Sequence, residues 1–215
     1  MNASQRLRQD QWHAMQMLHD HQLLGEDYFD DGRGARWVIG TPGTFTFRCE
    51  VIAGIGGSLI VHGDFDVVRF GHYGDHADAF NRLCWMGDCY DVGYYVAQKA
   101  AIGSGRRAGV NAYDEEVAQD ELRWWIDDTD DDDERSREKK RVFQDALSHT
   151  EDEHTLRTFL SDNDRGWDLW ELTLGRVLDA HVVIAHVALN KTVALLVERY
   201  GEEGPPACRR EVAKQ

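Results

Sequence analysis

Apolar positions follow two different periods along the chain. Up to residue 24 they recur at helical spacing, between residues 35 and 71 they alternate, and from residue 74 the helical spacing returns. "SQRLRQDQWHAMQMLHDHQLL", residues 4–24, puts Trp12, Met15, Leu18 and Leu23 on one stripe, with Ser4 to cap a helix and Gly25 to end it. "EDYFDDGRG" then reads as a loop. "ARWVIG", "TFTFRCEVIA", "SLIVHG" and "DVVRFG" read as strands joined by "TPG", "GIGG" and the pair Gly63–Asp64, all short enough for hairpins. In the second of them Phe45, Phe47, Cys49 and Val51 share one face, and Thr44, Thr46, Arg48 and Glu50 the other.

The helical part begins with "DHADAFNRLCWMG", which Asp75 would cap and Gly87 would stop, and continues with "DCYDVGYYVAQKAAIG". "GSGRRAG" reads as a linker. "DEEVAQDELRWWI", "ERSREKKRVFQDALSH" and "TEDEHTLRTFLSD" follow as helices, the last with Thr150 and Glu153 in capping-box spacing. "DRGWDLWELTLGRVLD" leads into "AHVVIAHVALNKTVALLVERYG", where Val182, Ala185, Leu189, Val193 and Leu196 form a stripe widened by Val183 and Val187. That helix is expected at the centre of a helical core, and the tail "EEGPPACRREVAKQ" is expected to fray. The fold class is therefore α+β: an N-terminal helix and a four-stranded antiparallel β-meander, followed by a mainly α-helical region. The natural division is 1–73 against 74–215, with the question of one shared core left open.

Charge changes this picture in one place. The net charge is −15, and residues 114–134 hold twelve acids against Arg123 alone, while residues 135–141 hold five bases and Glu138. An acidic chain of this kind repels phosphate backbones, so direct nucleic-acid binding is not expected; a basic protein surface is the partner it would attract. The candidate partner-binding residues on the helix are Glu115, Glu116, Asp120, Glu121, Trp124 and Trp125. Those on the following linker are Asp127, Asp128, Asp130, Asp131, Asp132 and Asp133. The plainer reading of the same segment is a solvated hinge whose acids suit the next helix's N-terminus and pair at i, i+4, Asp131 with Arg135 and Asp133 with Arg137.

Candidate metal chemistry is thinner. His72 and His76 are four apart, Cys84 and Cys89 five apart, and the cysteines converge only if the chain breaks at Gly87. His181 and His186, and His149 and His154, are also five apart and do not share a helix face. "SDNDRGWDLWE" fails the calcium-loop pattern: with Gly166 at the sixth position, Arg165 falls on a chelating place and Leu172 on the last. The sequence carries no phosphate-loop, nucleophile-elbow or H-E-x-x-H pattern, so no cofactor and no catalytic residue is expected. The polar opening "MNASQRLRQDQW" carries no apolar leader, and no uninterrupted apolar run is long enough for a membrane span. A cytoplasmic location with reduced cysteines follows as the expectation.

At "GSLIVHGDFDVVRF", with the acidic Trp- and Tyr-rich region behind it, the sequence resembles small phage- or prophage-encoded proteins of unknown function. The resemblance covers about residues 36–102 and the stretch from "WDLWEL" to "VALLVERY". It implies a cytoplasmic accessory protein of a mobile element; such proteins are often acidic, and some block host defence complexes, CRISPR systems included. It transfers no functional residue. Three functions stay open at this point: a non-enzymatic acidic interaction protein, a metal-binding regulator or enzyme using His72, His76, Cys84 and Cys89, and a homo-oligomeric assembly factor working through the apolar helix at 181–200.

Overall fold

The computed structural model describes residues 2–44, 47–54, 57–71, 78–87, 100–102, 111–169, 172 and 174–209. It is an α+β fold. The helices are Ala3–Met17 (α1), Ala79–Gly87 (α2), Glu115–Asp128 (α3), Glu134–Ala146 (α4), Glu153–Asp162 (α5) and Ala180–Tyr200 (α6). Six strands form one sheet: Gln22–Phe29 (β1), Gly34–Gly40 (β2), Cys49–Ala53 (β3), Leu59–Gly63 (β4), Asp66–Phe70 (β5) and Ala100–Ile102 (β6). They lie side by side in chain order, each antiparallel to the next. Asn111–Tyr113 (β7) and Arg176–Leu178 (β8) make a separate two-stranded sheet.

The chain divides into two compact units that interleave in sequence, rather than at residue 73. One holds Met1–Arg8 and Asn111–Val177; the other holds Gln9–Val110 and Leu178–Gln215. The second, the sheet unit, is built on the predicted meander. The four expected strands are β2 to β5, and their alternation is visible as burial: Cys49, Val51 and Ala53 are buried on β3, Leu59 and Val61 on β4, Val68 and Phe70 on β5. The pattern fails at Phe47, which is 38 % exposed and has a φ of 54°. A left-handed residue cannot continue the pleat, so β3 starts two residues later.

The long apolar helix α6 lies against β1, β3, β4 and β5 and against α2. Its partner is therefore the sheet, not the helical core expected for it. Val182, Val183, Ala185, Val187, Ala188, Leu189 and Leu196 are all buried there, so those side chains are unavailable to a second copy of the chain. Among the described residues α6 is the one helix long and apolar enough to cross a membrane, and half of that stretch is buried.

Several local expectations change. Residues 22–29 form an edge strand instead of a helix end and loop, and Gly25 sits beside a bulge rather than at a helix stop. Residues 100–102 are strand, not helix. Most of "DCYDVGYYVAQKAAIG", the cap at Asp75 and the linker "GSGRRAG" lie outside the described residues. "GRVLD" contributes β8. The tail folds back as far as Arg209, with Cys208 buried and Arg209 donating to the carbonyls of Gly204 and Tyr200.

Two polar groups hold the sheet unit together from within. Glu26 accepts hydrogen bonds from the hydroxyls of Tyr28 and Tyr200 and pairs with Arg199 at 3.3 Å, so one carboxylate ties β1 to the last turn of α6. His186 is buried on α6, with Nε2 3.1 Å from the Met86 carbonyl. Burial pushes its imidazole below the usual 6.5, so the folded chain keeps it neutral. The sign follows: the unfolded chain takes up a proton below about 6.5 that the folded chain refuses, so stability is lost as pH falls from there. Replacing His186 with Leu is expected to flatten that acid limb in urea melts taken from pH 7 downward; an unchanged slope would exclude His186 as its source.

Candidate functional site

The candidate acids lie in the other unit, on a core of three helices. Ala118 and Leu122 of α3, Phe143 and Ala146 of α4, and Leu156 and Leu160 of α5 pack together with Leu169 and Leu174. Each helix opens on an aspartate. Asp114 caps α3 by accepting from the Val117 amide at 3.1 Å and pairs with Arg6 at 3.2 Å. Asp133 caps α4 through the Ser136 amide, and Asp152 caps α5 through the amides of His154 and Thr155. The Ser136 amide at Asp133, and the Thr155 hydroxyl and amide at Asp152, favour the charged form and hold both carboxyls below the usual range. Asp152 therefore takes the place expected for Thr150. The Thr150 hydroxyl is buried instead between the Leu147 carbonyl and the Gln119 side chain.

The twelve candidate residues separate by environment. Trp125 packs inward: its ring stacks on Phe143 at 6.0 Å, and the Lys139 ammonium sits 5.7 Å from the centre of each ring. Glu121 is half-buried and accepts from the Gly175 amide at 2.9 Å. Burial pushes its carboxyl up, an effect the Gly175 bond only partly offsets. Glu115 bonds Gln119, and Asp120 pairs with Arg123 at 2.7 Å. Trp124 turns outward and is 56 % exposed, its ring edge-on to Trp125 at 4.8 Å and 72°.

The acidic linker does not form the expected helix pairs. Asp131 pairs with Lys140 at 3.0 Å, not Arg135. Asp133 acts as a cap, and Arg137 reaches only its backbone carbonyl, at 3.3 Å. Arg135 donates to the Gly166 carbonyl, and Glu138 pairs with Arg165. Four of the five bases that follow the acids are thus engaged inside the unit. Glu116, Asp127, Asp128, Asp130 and Asp132 have no ion-pair partner among the described residues, and all are exposed.

A cleft of about 690 Å³ opens beside this face. Asp120, Glu121, Trp124, Trp125 and Asp127 line it from α3, and Leu172 and Leu174 line it from the segment before β8. Asn2 and Gln5 complete it. The two leucines and the two N-terminal residues were not legible as site residues, because roughly fifty and one hundred residues separate them from α3 and no spacing rule links them.

No family model, no curated protein and no solved structure matches the chain.

Three of the four residues of the alternative metal set cannot be placed: His72, His76 and Cys89 lie outside the described residues, and Cys84 stands part-exposed on α2. The described residues contain no group of three His, Cys, Asp or Glu side chains placed to hold a metal ion. Burial pushes the Cys49 thiol to about 12 and the Cys208 thiol to about 11, so both stay protonated at neutral pH.

Proposed function

We propose that the chain is a non-enzymatic interaction protein whose acidic face, on α3 and the linker to α4, docks on the basic surface of a partner protein. One observation carries this reading. The bases at 135–140 are engaged within their own unit, while Glu116, Asp127, Asp128, Asp130 and Asp132 remain exposed and unpaired among the described residues. None of these five has a base at i+4, so the pairing of the plainer hinge reading would not reach them, and residues 114–141 carry thirteen acids against six bases. A concentrated unpaired charge steers a basic partner and sets its orientation more than it adds affinity.

The setting we propose follows the resemblance described above: a cytoplasmic accessory protein of a phage or other mobile element. Its sharper form is an inhibitor of a nucleic-acid-directed defence complex, in which these carboxylates occupy a groove built for phosphates. The test is retention of basic proteins from host lysate on the immobilised full chain. A variant carrying Asp127→Asn, Asp128→Asn, Asp130→Asn and Asp132→Asn serves as the comparison. Wild type is expected to retain basic proteins at low salt and release them near 1 M, where the screening length shrinks from about 10 Å at 0.1 M to about 3 Å. Equal retention by the variant, or retention indifferent to salt, overturns the proposal.

A further inference from the structure

Carboxylates alone would make only a diffuse acidic surface; the cleft beside α3 adds a shape and an open aromatic face. Trp124 presents that face. Of the two indoles it is the open one, because Trp125 is already stacked on Phe143 and covered by Lys139. The two rings meet at 72° with centres 4.8 Å apart, forming a corner rather than a flat plate. Away from the helix, Leu172 and Leu174 give the cleft an apolar wall beside the polar Asn2 and Gln5. Two carboxylates face it without a cation of their own among the described residues. Asp127 is exposed and unpaired, and Glu121 is half-buried with a single amide on one oxygen. Arg123 also reaches the cleft, but it is held by Asp120 at 2.7 Å and by Gln119 at 3.2 Å.

We propose that this cleft receives an arginine side chain of the basic partner, its guanidinium plane on Trp124 and its N–H fork toward Asp127 and Glu121. This rests on the docking reading and names the contact that would anchor it. The chemistry favours arginine over lysine. A guanidinium is planar and weakly hydrated, so it stacks on an indole while donating in its own plane, whereas an ammonium is a compact, strongly hydrated point charge. The state of Glu121 points the same way: burial works against its charge, and an incoming cation would relieve that. The unit already contains a contact of this kind, with the Lys139 ammonium over Trp125.

The experiment is calorimetric titration of the full chain at low salt with short peptides alternating glycine and arginine, against the same peptides with lysine. Trp124→Ala, Trp124→Phe and Asp127→Asn are titrated alongside, with thermal melts to confirm folding. The arginine peptide is expected to bind more tightly than the lysine peptide. Trp124→Ala should cost it about tenfold and bring it to the lysine level. Trp124→Phe, which keeps an aromatic face, should restore part of the loss, and Asp127→Asn should weaken both peptides. If both peptides bind alike and neither responds to Trp124, the cleft is not the anchor. The docking reading would then survive, provided the four-aspartate variant described above loses binding. If neither peptide binds at low salt, the cleft and the docking reading both fall.

Discussion

Gly32→Ala is expected to destabilise the sheet unit by about 2–5 kcal/mol, the sum of left-handed strain and forced overlap. Gly32 lies in the turn from β1 to β2, with a φ of 78°, after Asp30 and Asp31, which are also left-handed. A Cβ there would lie 2.0 Å from the Ala207 carbonyl oxygen and 2.8 Å from the Cys208 Cα. Those are backbone atoms of the folded-back tail, so no side-chain rotation relieves the overlap. The Gly32 carbonyl also accepts from the Ala79 amide at the start of α2, at 2.9 Å, which limits how far the turn can move. Gly43→Ala is the control: its φ is 77°, but nothing lies within 4 Å of the added carbon. It should show the backbone strain alone, about 1 kcal/mol. Urea unfolding of both variants measures the difference, and equal midpoints would refute the claim that the tail packs on this turn.

Phe143→Ala should have the second largest effect, and in the other unit. Phe143 is fully buried among residues of α3, α4 and α5. Truncating such a ring costs about 3–5 kcal/mol, because the cavity adds to the lost transfer energy. The same ring also supports Trp125 from below and shares the Lys139 ammonium with it. Hydrogen exchange should therefore lose protection across residues 115–162, and binding of arginine peptides should weaken although Phe143 does not line the cleft. Phe143→Leu keeps most of the volume and should lose much less. Unchanged protection in Phe143→Ala would mean the three helices do not depend on this contact.

Local signals in the chain held for the strand alternation and failed for the capping box at Thr150 and the i, i+4 pairs of Asp131 and Asp133. The alternation in "SLIVHG" and "DVVRFG" became β4 and β5, with Val61 opposite Val68 and the turn at Asp64 and Phe65 rather than at Gly63 and Asp64. The start of α4 behind a run of acids was likewise legible from adjacent residues, and Asp133 is its cap. The edge strands were not legible. In β1 the polar run "GEDY" masks the alternation, and a bulge at Leu24 breaks its period. Three residues of β6 are too few to show any period. Both are strands because a neighbouring strand offers them hydrogen bonds, and that offer is not written in their own residues.

The site divides in the same way. The sequence by itself determined that acids and two tryptophans crowd onto one helix and its linker, since composition and spacing are properties of the chain. Which of those groups are free was decided only by the tertiary structure. Lys139 goes to Trp125, Lys140 to Asp131, and the Gly175 amide to Glu121, leaving Trp124 and Asp127 open. Charge is additive along a sequence, but pairing is a matter of distances of a few ångströms between residues far apart in it. The packing of α3 on α4, and the approach of Leu172 and Leu174, set those distances.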